Sequence, residues 1–273
     1  MTLFRYDPAI VDRFPGIVGG VLHTTRLSNG PTPTPLVEAL RAEQAAVLAR
    51  LGPTPLSDVP SLAAWRRAFR AFGVDPTGYR SAAEALLRRL TKQGSIPSIS
   101  TLVDIGNLVS IRYALPVAVF DLASVAGGLT VRFATGDESF TDLGSGEREA
   151  PEPGEVIFID EAGHVAARRW CWRQSAESAS SATTTDVLVT VEGHHDAARA
   201  DVEAAVADLD GLLTAHAGPT AIRSGIVDAR MPSYARGEPP YDMGAPTAPI
   251  DHALRLAAEL ENEELRRKLT APD

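Results

Sequence analysis

The sequence predicts an α+β fold, with a helical N-terminal third packed on a mainly antiparallel sheet. Three observations predict it. Apolar residues recur at helical spacing through most of the chain before Pro116. After Pro116 the period shifts to two, in short β-rich runs separated by Gly, Asp and Pro. Those runs are not interleaved regularly with helices, which argues against a doubly wound parallel sheet.

Each element has its own local reason. Gly16–Thr25 reads as a β-branched strand interrupted by glycines, and Gly30–Pro35, with alternating prolines, reads as a loop. Leu36–Leu51 places Leu36, Leu40, Val47 and Leu51 at helical spacing. The next helix takes Ser61 as its N-cap, carries Leu62, Trp65, Phe69 and Phe72 as its stripe, and stops at Gly73. Ser81 with Glu84 has the spacing of a capping box and opens a third helix. Val103 onward forms a fourth helix that Pro116 ends, because the residue before proline disfavours the helical region.

The runs VAVFD, LTVRFA, EVIFID, HVAARRWCW and DVLVTVE then read as strands, and the polar stretch from Ala134 to Glu155 reads as a long turn. Asp196–Gly218 and Ile250–Leu269 read as closing helices. The Pro/Gly-rich stretch between them reads as a surface arm. The organisation expected is therefore one domain over residues 1–218, followed by an arm and a C-terminal helix over residues 219–273 that could pack on a second copy of the chain.

Composition narrows the function. Apolar residues make up 44% and charged residues 22% of the 273 positions, ordinary for a chain with a real core. No run of about 18 apolar residues exists, so no transmembrane helix is expected. The start lacks a basic and apolar leader, and a single cysteine, Cys171, cannot form an internal disulfide. Together these point to the cytoplasm. With 35 acids against 26 bases the net charge is −9, which speaks against tight non-specific nucleic-acid binding. It leaves room for a local basic patch. Arg80, Arg88 and Arg89 cluster, as do Arg168, Arg169 and Arg173, either as solvated faces or as a footprint for phosphates.

Chemical motifs are sparse. No Gly-x-Ser-x-Gly, P-loop or Gly-x-Gly-x-x-Gly is present, so serine hydrolase, NTPase and dinucleotide readings fall away. His164 and the pair His194–His195 lack a second ligand at helical spacing, so no metal and no cofactor is expected; EGHHD reads as a polar turn. Cys171, between two tryptophans, reads as a small apolar strand residue. Two polar regions flank core elements. Asp104, Asn107 and Ser110 share one flank of a helix whose other side carries Leu102, Ile105, Val109 and Tyr113. RRWCWRQSAESASSATTTD runs from a strand into a Ser/Thr-rich loop that offers hydroxyls and amides. Both regions have a bland reading as well: a solvent-facing flank that stitches helix to sheet, and a plain connection.

These regions resemble a known family. VDIGNLVSIRYALPVAVFDLASVAGGLTVRFATGDESF is similar to the B3/4 domain, the editing domain in the β-subunit of bacterial phenylalanyl-tRNA synthetase. Asp104, Asn107, Pro116, Phe120, Asp121, Gly128, Arg132 and Glu138 fall in step with its pattern, and Thr184, Val187 and Leu188 match a downstream segment. The resemblance is strongest over residues 80–192. It implies a partly barrel-like sheet and a stand-alone protein that hydrolyses a misacylated tRNA, related to phenylalanine tRNA, in trans. The partners implied are an aminoacyl-tRNA and a small-molecule amino acid. It implies catalytic roles for Asn107, Arg173, Gln174 and Glu177, and substrate contacts by Asp104, Ser110, Ala118 and Thr184, around a cleft between the helix of Asn107 and the strand of Arg173.

Two departures stand out: the family histidine falls on Ala118, and its Gly-Gly-Glu segment lies opposite RQSAES, where Gln174 or Glu177 takes the place of the glutamate. A non-catalytic RNA- or amino-acid-binding module with the same fold is the alternative. An amidase or esterase acting on a small aminoacyl metabolite is a third reading, and a basic patch would separate it from the first.

Overall fold

The structure is a computed structural model that describes residues 1–237. Its architecture is three-layered: helices, a four-stranded sheet, and a six-stranded sheet. The chain begins with β1 (Thr2–Tyr6), the short α1 (Pro8–Arg13) and β2 (Val18–Thr25), then runs through α2 (Thr34–Leu51), α3 (Pro60–Ala71), α4 (Ala82–Gln93) and α5 (Thr101–Tyr113). From Pro116 it is mostly strand: β3 (Val117–Asp121), β4 (Leu129–Phe133), β5 (Phe140–Thr141), β6 (Arg148–Glu149), β7 (Val156–Ile159), β8 (Val165–Arg168), β9 (Arg173–Gln174) and β10 (Val187–Gly193). α6 (Ala198–Ala217), β11 (Ala221–Asp228) and β12 (Ser233–Ala235) complete the described chain.

The central sheet, in the order β11-β2-β10-β3, is antiparallel throughout. The period of two decides its faces. Val187, Val189 and Val191, with Val117 and Val119, join the core formed with α2, α5 and α6. Leu188 and Phe120, one register position over, face the outer sheet together with Val131 and Phe158. That outer sheet runs β12-β1-β4-β7-β8-β9, antiparallel except for the parallel pair β1–β4. Gly128 permits that pair's close approach, because a Cβ there would sit 2.3 Å from the Thr2 carbonyl oxygen.

Local signals act as expected at several ends. Ser81 caps α4, accepting from the Glu84 amide at 3.3 Å. α5 ends at Tyr113, three residues before Pro116, where Ala114 turns left-handed (φ 52°) and the Ser110 hydroxyl donates to the Leu115 carbonyl at 2.7 Å.

Other expectations are corrected. Ser61 lies inside α3; the cap position is Val59, because Pro60 with its fixed φ takes the first helical place. β8 stops at Arg168 rather than running through Trp172, since Arg169 and Trp170 adopt φ of 44° and 61°. The polar stretch after Ala134 holds the small β5–β6 ladder. β11 and β12 fall within the stretch read as an arm from residue 219, and each adds an edge to a sheet. Neither sheet closes on itself, so the barrel-like expectation gives way to two stacked open sheets. The helix expected over Ile250–Leu269 lies outside the described residues.

Candidate functional site: a cavity between the sheets and a basic groove

The left-handed pair Arg169–Trp170 shapes the site. Bulky residues are rarely left-handed, so surrounding bonds must hold the turn. The Trp170 amide donates to the Val156 carbonyl (2.6 Å), the Cys171 amide to the Arg169 carbonyl (2.8 Å) and the Trp172 amide to the Arg168 carbonyl (3.2 Å). The reversal sends the Trp170 indole fully inside and leaves Trp172 and Arg173 toward the surface. The Ala82 amide donates to the Cys171 carbonyl at 2.8 Å, which docks the start of α4 on this turn.

Behind the turn is a cavity of about 80 Å³ between the two sheets. Ala118 and Thr190, paired across β3 and β10, form one wall; Phe158 and Ala167 form the other; Arg173 and Gln174 stand at its side. Glu192 also lines it. Glu192 shares a strand face with Leu188 and Thr190 and is only 2% exposed. Its Oε1 accepts from the Tyr6 hydroxyl at 2.7 Å and from Trp170 Nε1 at 3.1 Å. No bond reaches Oε2 among the described residues. Burial raises this carboxyl to about 7, against the smaller lowering effect of its two donors. Burial also pushes the neighbouring Cys171 thiol well up, helped by the Glu192 charge.

His194 follows two residues later. Its ring packs edge-on against Trp65, Trp170 and Phe14, with centroids 4.4, 4.9 and 5.9 Å away. Its Nε2 is enclosed without a hydrogen-bond partner among the described residues. Burial, then the charges of His195 and Arg67, lowers it to about 3, so the ring is neutral. His195 bonds Asp201 of α6 at 2.7 Å. The pair expected as a polar turn is instead an internal joint.

Outside the turn lies a groove of about 440 Å³, whose walls carry Arg80, Arg88, Arg89, Lys92 and Arg173. Arg88, Arg89 and Lys92 form no ion pair among the described residues, while Arg80 sits 3.8 Å from Glu84. Trp172 lines groove and cavity alike, as Arg173 does. Its ring is flanked by Arg169 and Arg173, with guanidinium carbons 4.7 and 4.6 Å from the centroid, and Tyr79 meets it edge-on at 5.0 Å. In a chain of net charge −9, this is a local reversal of sign.

The expected site residues separate. Ala118, Arg173 and Gln174 line the cavity. Gln174 spends its amide hydrogens on the Val119 and Ser178 carbonyls, at 2.8 and 2.9 Å, leaving Oε1 without a bond among the described residues. Arg173 pairs with Asp142 and stays 45% exposed. Glu177 lies beyond the strand, exposed, accepting from Thr141 Oγ1 at 2.9 Å. Thr184 donates to Asp121 Oδ2 at 2.6 Å and lines neither space.

The cleft expected between Asn107 and Gln174 is not formed. α5 packs on the Val117 and Val119 face of β3, as the approach of Gly106 to both shows, whereas the cavity opens on the Ala118 face. Asp104, expected at the substrate, is fully buried and accepts from the Thr32 hydroxyl (2.7 Å), the Ser98 hydroxyl and the Ile99 amide (2.9 Å). It and Ser110 stitch loops to the helix. Glu192 was missed, although its place two residues past Thr190 on an alternating strand puts it on the inward face.

Comparison with known proteins agrees with this region. The B3/4 domain family model matches residues 64–205, just over half of the chain. The phenylalanine–tRNA ligase β-subunit of Mycolicibacterium paratuberculosis is 32% identical over 227 residues, covering 74% of this chain and 26% of that protein. That of Nocardia farcinica is 34% identical over 120 residues, covering 44% and 14%. The chain thus spans between a tenth and about a quarter of these relatives and that of Chromobacterium violaceum. An N-terminal fragment of the phenylalanyl-tRNA synthetase β-subunit from Pyrococcus horikoshii aligns with a TM-score of 0.43 at 14% identity, covering 81% of this chain and 50% of that one.

Proposed function

The chain belongs to the B3/4 domain family, and on that premise we propose that it binds the 3′ end of an aminoacyl-tRNA and hydrolyses a wrongly attached amino acid in trans. The observation that carries this reading is the basic groove opening beside the cavity through the shared Trp172 and Arg173. Phosphates need cations, and the aminoacyl group needs an enclosed pocket within reach of them. A purely small-molecule amidase or esterase has no use for a five-cation groove. The tRNA related to phenylalanine is the first candidate, by kinship with the ligase subunits.

Ester hydrolysis needs a positioned water and donors where the carbonyl oxygen gains charge, and no covalent nucleophile. In this reading Arg173 at the rim, or amides of the Ser175–Thr185 loop, stabilise the oxyanion. The free Oε1 of Gln174 orients the water. Asn107 is given no role, because α5 lies on the other side of β3.

A second reading, a binding module without catalysis, is favoured by Ala118, which puts a methyl group where the family carries a histidine. Deacylation of a panel of mischarged tRNAs separates the two. A hydrolase accelerates release of at least one amino acid, and Arg173→Ala slows it tenfold or more, since loss of one oxyanion donor costs about 10²–10³ in rate. Binding of tRNA with no acceleration on any member of the panel leaves the module.

A further inference from the structure

We infer that Glu192 is the floor of a side-chain subsite that selects a short aliphatic amino acid ending in a hydrogen-bond donor, hydroxyl or ammonium, over a hydrocarbon of the same shape. The inference rests on the aminoacyl reading of the cavity and adds which aminoacyl groups fit.

Three observations carry it. First, Glu192 is 2% exposed yet lines the cavity, and its two donors, Tyr6 and Trp170, both engage Oε1. With Oε1 taken up, a ligand in the cavity that supplies a donor gains a charge-assisted bond at Oε2 that no described residue makes. Second, much of the remaining wall is apolar: Ala118, Phe158 and Ala167 accommodate methylenes, with Thr190 and Gln174 adding polar atoms beside them. A ligand that enters without a donor leaves Oε2 as it was; one that carries a donor gains the bond, which is how polar sites reject isosteres by large factors. Third, the cavity holds about 80 Å³, roughly half of the 150 Å³ of an engineered cavity that takes benzene. A phenol ring does not fit; a three- or four-atom side chain does. The arrangement of cations at the mouth and an acid at the floor also suits a ligand with phosphate at one end and a donor at the other.

The two donor types separate by pH. An ammonium requires the ionised carboxylate, so its affinity rises as pH passes upward through the Glu192 titration; a hydroxyl binds with much less change. The groups tied to that titration are Tyr6 of β1 and Trp170 of the turn, which donate to the carboxyl, and the Cys171 thiol, which its charge raises; Arg173 shares the cavity wall, and Asp228 of β11 acts on Tyr6.

The experiment is calorimetric titration of the full chain with threonine amide, valine amide and 2,4-diaminobutyric acid amide at pH 6 and pH 8. The expected result is at least tenfold tighter binding of one donor-bearing amide than of valine amide. A preference for threonine that holds at both pH values identifies the hydroxyl; a preference for the diamine that strengthens at pH 8 identifies the ammonium. Glu192→Leu abolishes either preference. Should that variant fail to fold, Glu192→Gln, which keeps an acceptor for Tyr6, loses the diamine preference and its pH dependence, and the wild-type comparison still decides. Valine amide binding as tightly as both others, or no amide binding at millimolar concentration, overturns the inference. A gel-shift titration with tRNA on the same protein keeps the two readings apart. Lost tRNA binding with the amide preference intact sinks the aminoacyl-tRNA reading alone, and the converse sinks only the role of Glu192.

Discussion

Glu192→Gln should change how stability depends on pH, and by an amount that follows from two buried groups. In the unfolded chain the Glu192 carboxyl titrates at its ordinary 4.5; in the folded chain it titrates at about 7. Between those values the unfolded state has released the proton and the folded state has kept it. The stabilising contribution is therefore complete below pH 4.5 and is lost as pH rises to 7, at about 1.4 kcal/mol per pH unit, or about 3 kcal/mol in all. His194 works in the opposite sense. Its folded value is about 3 against 6.5 unfolded, so its contribution is complete above pH 6.5 and is lost as pH falls toward 3, with the same slope.

From pH 4.5 to 6.5 the two slopes cancel in the wild type. Glutamine mimics the protonated acid and still accepts from Tyr6, so the variant keeps only the histidine slope. Urea unfolding at half-unit steps from pH 4.5 to 8 measures this directly, since every other group is common to both proteins and drops out of the difference. The variant should match the wild type within about 1 kcal/mol near pH 4.5, as conservation of the Tyr6 bond implies, and exceed it by about 3 kcal/mol at pH 8. A difference that stays constant across the range would refute the buried, half-ionised carboxyl and with it the character of the cavity floor.

Asp104→Ala should cost about 3 kcal/mol or more, since three donors lose a buried charged acceptor; thermal unfolding will show it, and deacylation corrected for the folded fraction should stay unchanged. Gly128→Ala should destabilise by about 1–3 kcal/mol, because its Cβ meets backbone that cannot rotate away; a shift under half a kcal/mol in urea would mean β1 is not held as described. Arg88→Glu with Arg89→Glu should weaken tRNA binding and flatten its salt dependence, by a little under one unit of log–log slope for each phosphate that the variant no longer neutralises; filter binding at several salt concentrations with an unchanged slope would remove the groove from the RNA path.

Much of the fold was legible because it rests on periodicity. Val187 to Glu192 alternates, α2 repeats every three to four residues, and Ser81 signals its own helix start. What escaped has nameable causes. β8 looked continuous through Trp172 because β-rich residues continue; nothing in Arg169–Trp170 announces a left-handed pair, which tertiary bonds impose. β11, AIRSGIVD, was hidden by an interior glycine and by the loop that follows. The helix flank of Asp104 and Ser110 drew attention for being polar, yet those side chains serve as stitching. Polarity on a helix says nothing of which side of a sheet the helix occupies. The two arginine clusters were visible singly, but they meet where the Ala82 amide bonds the Cys171 carbonyl, between residues some 90 positions apart.

The same bond explains why groove and cavity form a unit. Arg80, just ahead of α4, and Arg88 and Arg89 on it line the groove beside the turn to which the first residue of α4 is tied through Cys171, and the turn carries Trp170 inward to Glu192 while leaving Trp172 and Arg173 at the mouth. The floor needs one further part. Tyr6 belongs to β1, outside the stretch 64–205 that the family model matches, and its hydroxyl is the nearer of the two donors that occupy Oε1. With Oε1 committed at 2.7 and 3.1 Å, Oε2 is the oxygen of Glu192 left to a ligand, in a cavity whose other polar lining is Thr190, Arg173 and Gln174. The family core supplies the walls and the basic mouth, and the strand added ahead of it fixes which oxygen a ligand meets.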